Sequence, residues 1–344
     1  MALARLLLVT GKGGTGKSVV AAAMALALAR RYPTTLVDLD QRMWASRIIG
    51  IEPALEPDRS GLRSTEQAAI ANLETVSLQP STELAAFIDR IVPIKAVARR
   101  MLRSRTFAYV STALPGLEAF LMLDRLRILA ERAAEHDRYI VVDAPATGSA
   151  LELLEVPGAL KRIAPLGTLN HLAAGVEEFI EDASRFAVIL TLTPHEFAIR
   201  EAIEASDVLR GRMGVSIAAA ALNRVPRRLF ERSELAALET NEACAHLARW
   251  RDGAYRQTAR ARRLVVRSGL NLVELPMLFR PALGRSELET LAHALAGRLV
   301  PDKPARAATP ARTPCPITRS RAARTHAQSR TPRTPRGTPA HKPH

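Results

Sequence analysis

Cysteine is nearly absent from this sequence: Cys244 and Cys315 are the two thiols in 344 residues. Two thiols cannot build a disulfide framework, and the chain has no CxxC pair at zinc-site spacing. Histidines are scattered without an H-x-x-x-H repeat, so no metal ligand set beyond magnesium is expected. Long hydrophobic runs are missing too. No stretch approaches the roughly 20 apolar residues of a membrane-spanning helix. Met1–Thr10 lacks a signal peptide's length and cleavage site and runs straight into a glycine-rich loop. These absences together predict a reduced, cytoplasmic setting. Aromatic residues make up only 4%, and lysine is rare, the basic residues being almost all arginine. The arginine bias is read as genomic composition and carries no function.

What is present is apolar and unevenly charged. Hydrophobic residues reach 47%, enough to bury one large α/β core or two smaller ones. Of the net charge of +15, residues 301–344 carry +9, with ten Lys or Arg against one acid. That segment is Pro, Thr, Arg, Ala and Ser with almost no large apolar side chain. It cannot repay its ordering entropy and is expected to be a disordered basic tail. It is either a passive solvated tail or a contact for an anionic polymer or surface, without the rings that base stacking needs.

The apolar runs recur at βα spacing. Arg5–Thr10, Thr34–Leu39, Leu73–Leu78, Tyr139–Asp143, Ala187–Thr191, Ile217–Leu222 and Asn271–Leu275 read as strands. The Ala-rich Val19–Arg31 reads as a helix. Strand, loop, helix and strand in under 40 residues make a βαβ unit, so the fold class is α/β with a mostly parallel sheet flanked by helices. Residues 81–136 break that rhythm. They read as an inserted helical subdomain, to which helices at about 150–185 are added, within one domain spanning 1–300.

The chemistry starts at Gly11-Lys12-Gly13-Gly14-Thr15-Gly16-Lys17-Ser18, a full match to G-x-x-x-x-G-K-[ST] between a strand and a helix. The glycines let backbone N–H groups converge on phosphate oxygens, and the helix N-terminus beginning near Val19 adds partial positive charge. Lys17 reaches the β- and γ-phosphates and the Ser18 hydroxyl ligates Mg²⁺. Asp38 and Asp40 end the second strand, where a parallel sheet meets its ligand. Asp40 is the candidate for positioning the attacking water; Asp38 is either a second phosphate-facing acid or a strand-end turn residue. Ile140-Val141-Val142-Asp143 is a hydrophobic strand ending in an acid, which directs Asp143 to the Mg²⁺ shell. The segment Ala144–Ser149 after it reads as a γ-phosphate sensor or an ordinary strand-to-helix loop.

Together these motifs resemble the arsenite-pump and tail-anchored-protein-targeting ATPases, the ArsA/Get3 family. The resemblance rests on the deviant Walker A loop at Lys12–Ser18, the segment Asn72–Pro80, the turn Pro115-Gly116-Leu117-Glu118, and Asp143–Pro157. It implies a P-loop NTPase that binds ATP and Mg²⁺. It also implies a nucleotide-sandwich homodimer, or a pairing with a related ATPase subunit, in which Lys12 crosses to the partner's nucleotide. By the same resemblance Asn223 of Ala221-Leu222-Asn223-Arg224 reads adenine, or is simply a turn residue, and Glu274-Leu275-Pro276 packs on the base. The helical region Phe87–Leu129, with Met101 and Met122, is either ordinary helix packing or a groove for a hydrophobic client or membrane-protein partner.

Three departures stand out. Gln41-Arg42-Met43 replaces the family's P-A-H, Ser149 replaces its second-switch histidine, and neither its zinc CxxC nor its metalloid cysteine cluster is present. The altered switches leave open an adaptor that binds ATP without turning it over. Val37–Gln41 and the basic tail also suit a ParA/MinD-type positioning ATPase that loads on DNA or membrane.

Overall fold

The computed structural model describes residues 3–40, 42–51, 70–79, 83, 84, 87, 116–280 and 283–302. Gln41, Met101, the bulk of the proposed helical subdomain before Gly116, Cys315 and residues 303–344 lie outside them.

Among the described residues, seven strands form one parallel sheet: β1 (Leu6–Gly11), β2 (Thr34–Asp38), β3 (Leu73–Ser77), β4 (Tyr139–Asp143), β5 (Phe186–Leu192), β6 (Ile217–Val225) and β7 (Leu272–Pro276). Their order is β3-β2-β4-β1-β5-β6-β7, so the chain leaves β1 to one side and returns on the other. Each neighbouring pair is parallel. A ligand site in such a sheet falls at the carboxyl ends of the strands beside the point where the order reverses. That point is the end of β1.

Side chains alternate across each strand, and β1 shows why the apolar run is continuous. Leu7 and Val9 join a core with α1 (Lys17–Ala29) and α9 (Arg285–Leu299). Leu6 and Leu8 face the other way, against α3 (Leu117–Glu135), α4 (Thr147–Ile163) and α5 (Thr168–Glu181). Both faces of β1 are covered, so the strand is apolar from Leu6 through Val9. A smaller cluster joins Leu192, Ala220 and Leu222 to α6 (Glu196–Gly211) and α8 (Ala245–Arg267). The helices at 147–181 therefore pack on the sheet itself: Leu153, Val176 and Phe179 are buried with Phe186 and Val188. Two short helices complete the described residues, α2 (Trp44–Ile49) and α7 (Arg232–Glu239).

Helix α1 is buried from Val20 through Ala29. Its alanines let it close on the sheet and on α9. Helix α9 supplies Leu288, Leu291, Ala292 and Leu295, an i, i+3, i+4, i+7 stripe. The helix α1 starts at Lys17, two residues before the apolar segment read from sequence, because Gly16 adopts a left-handed φ of 94° as its N-cap. Lys17 and Ser18 thus belong to the helix's first turn. Among the described residues no helix is long and apolar enough to cross a membrane.

Candidate functional site

The glycine loop is a tight turn held from inside. Thr15 is buried, and both its amide (3.2 Å) and its Oγ1 (2.8 Å) donate to the Lys12 carbonyl. Gly14 and Gly16 take φ of 82° and 94°, which a side chain disfavours. Gly11, where β1 meets the loop, lies so close to β5 that an added Cβ would sit 2.1 Å from the Thr191 carbonyl oxygen. Gly13 and Gly14 have open space around them and are exposed. The turn therefore exposes peptide groups next to the first turn of α1, which carries Lys17, an arrangement suited to phosphate.

Asn223 anchors this loop. Its Nδ2 donates 2.9 Å to the Thr15 carbonyl, and its Oδ1 accepts the Arg224 amide at 2.9 Å. The sheet register shifts between Leu222 and Val225, and Arg224 adopts φ 58°. That local irregularity turns Asn223, only 6% exposed, toward the loop. Asn223→Ala is expected to leave the Thr15 carbonyl unpaired and to cost about 1–2 kcal/mol without any nucleotide. Thermal denaturation of the nucleotide-free protein checks this, since a residue that only read a base would leave the midpoint unchanged. Pro276 ends β7 opposite Val225, whose carbonyl accepts the Met277 amide at 2.8 Å. Glu274 is ion-paired with Arg262 of α8.

The acids gather at the ends of β2 and β4, where Asp38 and Asp143 are register partners. Asp143 is 3% exposed, and its Oδ1 has no hydrogen-bond partner. Burial pushes its carboxyl up to about 7; Asp38 and Asp40 add to the rise, while a hydrogen bond with Ser18 and the charge of Lys17 oppose it. A buried carboxylate with an unused oxygen beside a serine hydroxyl is a hard-oxygen donor set, and it fits a Mg²⁺ ion that keeps most of its waters. Among the described residues no three His, Cys, Asp or Glu side chains cluster into a metal site.

Asp38 is fully buried and is engaged with α2. It accepts the amides of Ala45 (3.2 Å) and Ser46 (3.3 Å) and the Ser46 hydroxyl. Burial raises its pKa against those hydrogen bonds, with the charge of Asp40 adding to the rise. The carboxylate thus fastens the start of α2 to the end of β2. Asp40 lies in the loop beyond, exposed, accepting the Arg42 amide at 3.0 Å. Met43 closes the loop at φ 50°, and its amide donates to the Asp40 carbonyl. Beyond β4, Thr10 Oγ1 donates 2.8 Å to the Pro145 carbonyl, coupling the end of β1 to the segment leading into α4. Ser149 is exposed in the first turn of α4. It borders a cavity of about 470 Å³ with Leu39, Met122, Pro145, Leu153 and Val156. Gly116, at φ 82°, turns the chain into α3 at the same cavity.

An apolar hollow lies elsewhere. It measures about 520 Å³ and is lined by Leu229, Phe230, Leu247, Trp250 and Phe279, after the ends of β6 and β7. Its surface is almost wholly apolar and offers little to a phosphate.

Residues 4–171 match the model of the anion-transporting ATPase family. Over that stretch the chain is similar to this family. The match takes in Lys12, Lys17, Asp40 and Asp143, and ends before Asn223 and Pro276. The chain is similar to ATPase BagA of Mycobacterium tuberculosis, 28% identical over 251 residues, which cover 71% of this chain and 72% of the relative. An uncharacterised Streptomyces coelicolor protein is 32% identical over 218 residues, 58% of this chain and 53% of the relative. The arsenical pump-driving ATPase of Escherichia coli is 24% identical over 204 residues, 57% of this chain and 31% of the relative. Three residues that touch the candidate loop and strand ends have no signal of their own in the sequence: Ser46 on Asp38, Thr10 on the Pro145 carbonyl, and Glu201, which is ion-paired with Lys12.

Proposed function

We propose that this chain binds Mg²⁺-ATP on the loop Gly11–Ser18 and hydrolyses it in a dimer, with the cycle coupled to a hydrophobic client or membrane-protein partner. ATP hydrolysis is the class of reaction its family carries. The observation that carries the site assignment is the meeting of the Ser18 hydroxyl and the buried Asp143 carboxylate, whose Oδ1 has no partner, near Lys17 and a loop of left-handed glycines.

Each residue then has a role that follows from its position. The amides of Gly13 to Val19 and the Lys17 ammonium hold the β- and γ-phosphates. Ser18 and Asp143 are the residues that would hold Mg²⁺, and the ion would neutralise charge on the phosphates. Asp40, on the exposed loop after β2, orients the attacking water and can accept its proton. Lys12 stabilises charge that develops on the transferred phosphoryl group, in the dimer from the partner's side. Asn223 and Pro276 border the base.

Turnover and solution mass, measured together with Mg²⁺-ATP, test the reading. The wild type is expected to hydrolyse ATP slowly and to double its mass with ATP. Lys12→Ala should lose about 10²-fold or more in turnover, the scale of a lost transition-state donor, and weaken the ATP-bound dimer. Wild-type turnover by Lys12→Ala would remove the case for a lysine acting on phosphate.

A further inference from the structure

Lys12 is not idle in the nucleotide-free chain. Its ammonium is 2.7 Å from Oε2 of Glu201, in the second turn of α6. The two side chains are 47% and 32% exposed, so the pair stands at the surface and not in the core. The α6 turn that presents it is firmly seated, with Ala198, Ile199 and Ala202 buried. The neighbouring cation on that helix, Arg200, is engaged with Glu196, which leaves Glu201 to Lys12. The two residues are 189 positions apart, joined by the β1–β5 pairing that brings the loop to the start of α6.

We propose that Glu201 is a positioning residue for the hydrolytic cycle. It holds Lys12 on α6 when no triphosphate is present, and gives it up when a γ-phosphate competes for the ammonium. This rests on the reading that Lys12 acts on phosphate. An exposed ion pair is weak and screened by salt, so it biases the lysine without locking it. A triphosphate, with more negative charge near the loop, draws the lysine away; a diphosphate, lacking the terminal group, leaves it on Glu201. Glu201 thereby raises the ATP concentration needed to free Lys12 and leaves ADP binding unaffected.

The test uses the full chain as wild type, Glu201→Gln, Glu201→Asp, Lys12→Ala and the Lys12→Ala/Glu201→Gln pair. The readings are KM and kcat for Mg²⁺-ATP, ADP affinity, and the ATP concentration giving half-maximal dimer. Glu201→Gln is expected to lower the ATP KM and the half-dimer concentration roughly two- to fivefold, the scale of an exposed ion pair. kcat and ADP affinity stay near wild type. Glu201→Asp restores the wild-type values, high salt removes the difference, and the substitution has no effect in the Lys12→Ala background. The inference is overturned if Glu201→Gln changes nothing while Lys12→Ala does, if its effect survives without Lys12, or if it weakens the dimer. If Lys12→Ala itself behaves as wild type in all readings, the phosphate role of Lys12 fails first and this inference falls with it.

Discussion

Asp40→Ala is expected to bind ATP as the wild type does and to hydrolyse it about 10²–10³-fold more slowly. The scale is that of a lost water-orienting general base. Lys17, Ser18 and the loop amides are untouched by the substitution, so the nucleotide still docks. The local structure supplies a control, because Asp40 also accepts the Arg42 amide across its own turn. Asn preserves that hydrogen bond and removes the charge. Asp40→Asn should therefore fold the loop normally and be as slow as Asp40→Ala. If Asn restores turnover, the side chain shapes the loop and does not handle the water's proton. Phosphate release, measured beside nucleotide titration, separates these outcomes.

Asp143→Asn is expected to change how stability depends on pH. In the folded chain without divalent cation the Asp143 carboxyl titrates at about 7, against 3.8 for an ordinary aspartate, chiefly through burial. A raised carboxyl pKa means that the folded state holds a proton the unfolded chain has released. The stabilisation is complete below about pH 4 and is lost as pH rises through 7, a span worth of order 4 kcal/mol. The wild type in chelator should thus lose thermal stability from pH 5 to pH 8. Asp143→Asn, neutral throughout, should follow a flatter profile, keeping the slope that Asp38, also raised by burial, contributes. Mg²⁺ should raise the midpoint of the wild type above pH 7 and leave that of the variant unmoved. Parallel profiles for the two proteins would show that Asp143 does not carry this proton. In turnover, Asp143→Asn should fall steeply, because an amide is a poorer partner for Mg²⁺-bound water.

Sequence and structure agree where the signal is local. All seven strands lie on the apolar runs, most completely β1 and β4, which are buried along their whole length. Tyr139–Asp143 is the clearest case, the run ending on the buried acid Asp143. The glycine loop is equally legible, since its φ values are ones that few other residues adopt. The start of α1 is legible only from Val19 onward, because Lys17 and Ser18 are polar and no apolar periodicity reaches them. Helices α4 and α5 read from sequence as additions to an inserted helical subdomain, and in the structure they pack on the sheet through Leu153, Val176 and Phe179. Apolar periodicity says that a helix has a buried face and not which surface buries it.

The sequence by itself therefore determined the fold class, and it put the glycine loop after β1, Asp40 in the loop after β2 and Asp143 at the end of β4. Each of these is written in neighbouring residues. Only the tertiary structure decided what the side chains touch. Asp38 turns to Ser46 and the α2 amides, although its place at the end of β2 is equally compatible with facing phosphate. Asn223 reaches back 208 residues to the Thr15 carbonyl, and Lys12 reaches Glu201. The physical reason is the parallel sheet. It joins strands distant in sequence, so the residues that meet at its carboxyl edge leave no common period along the chain.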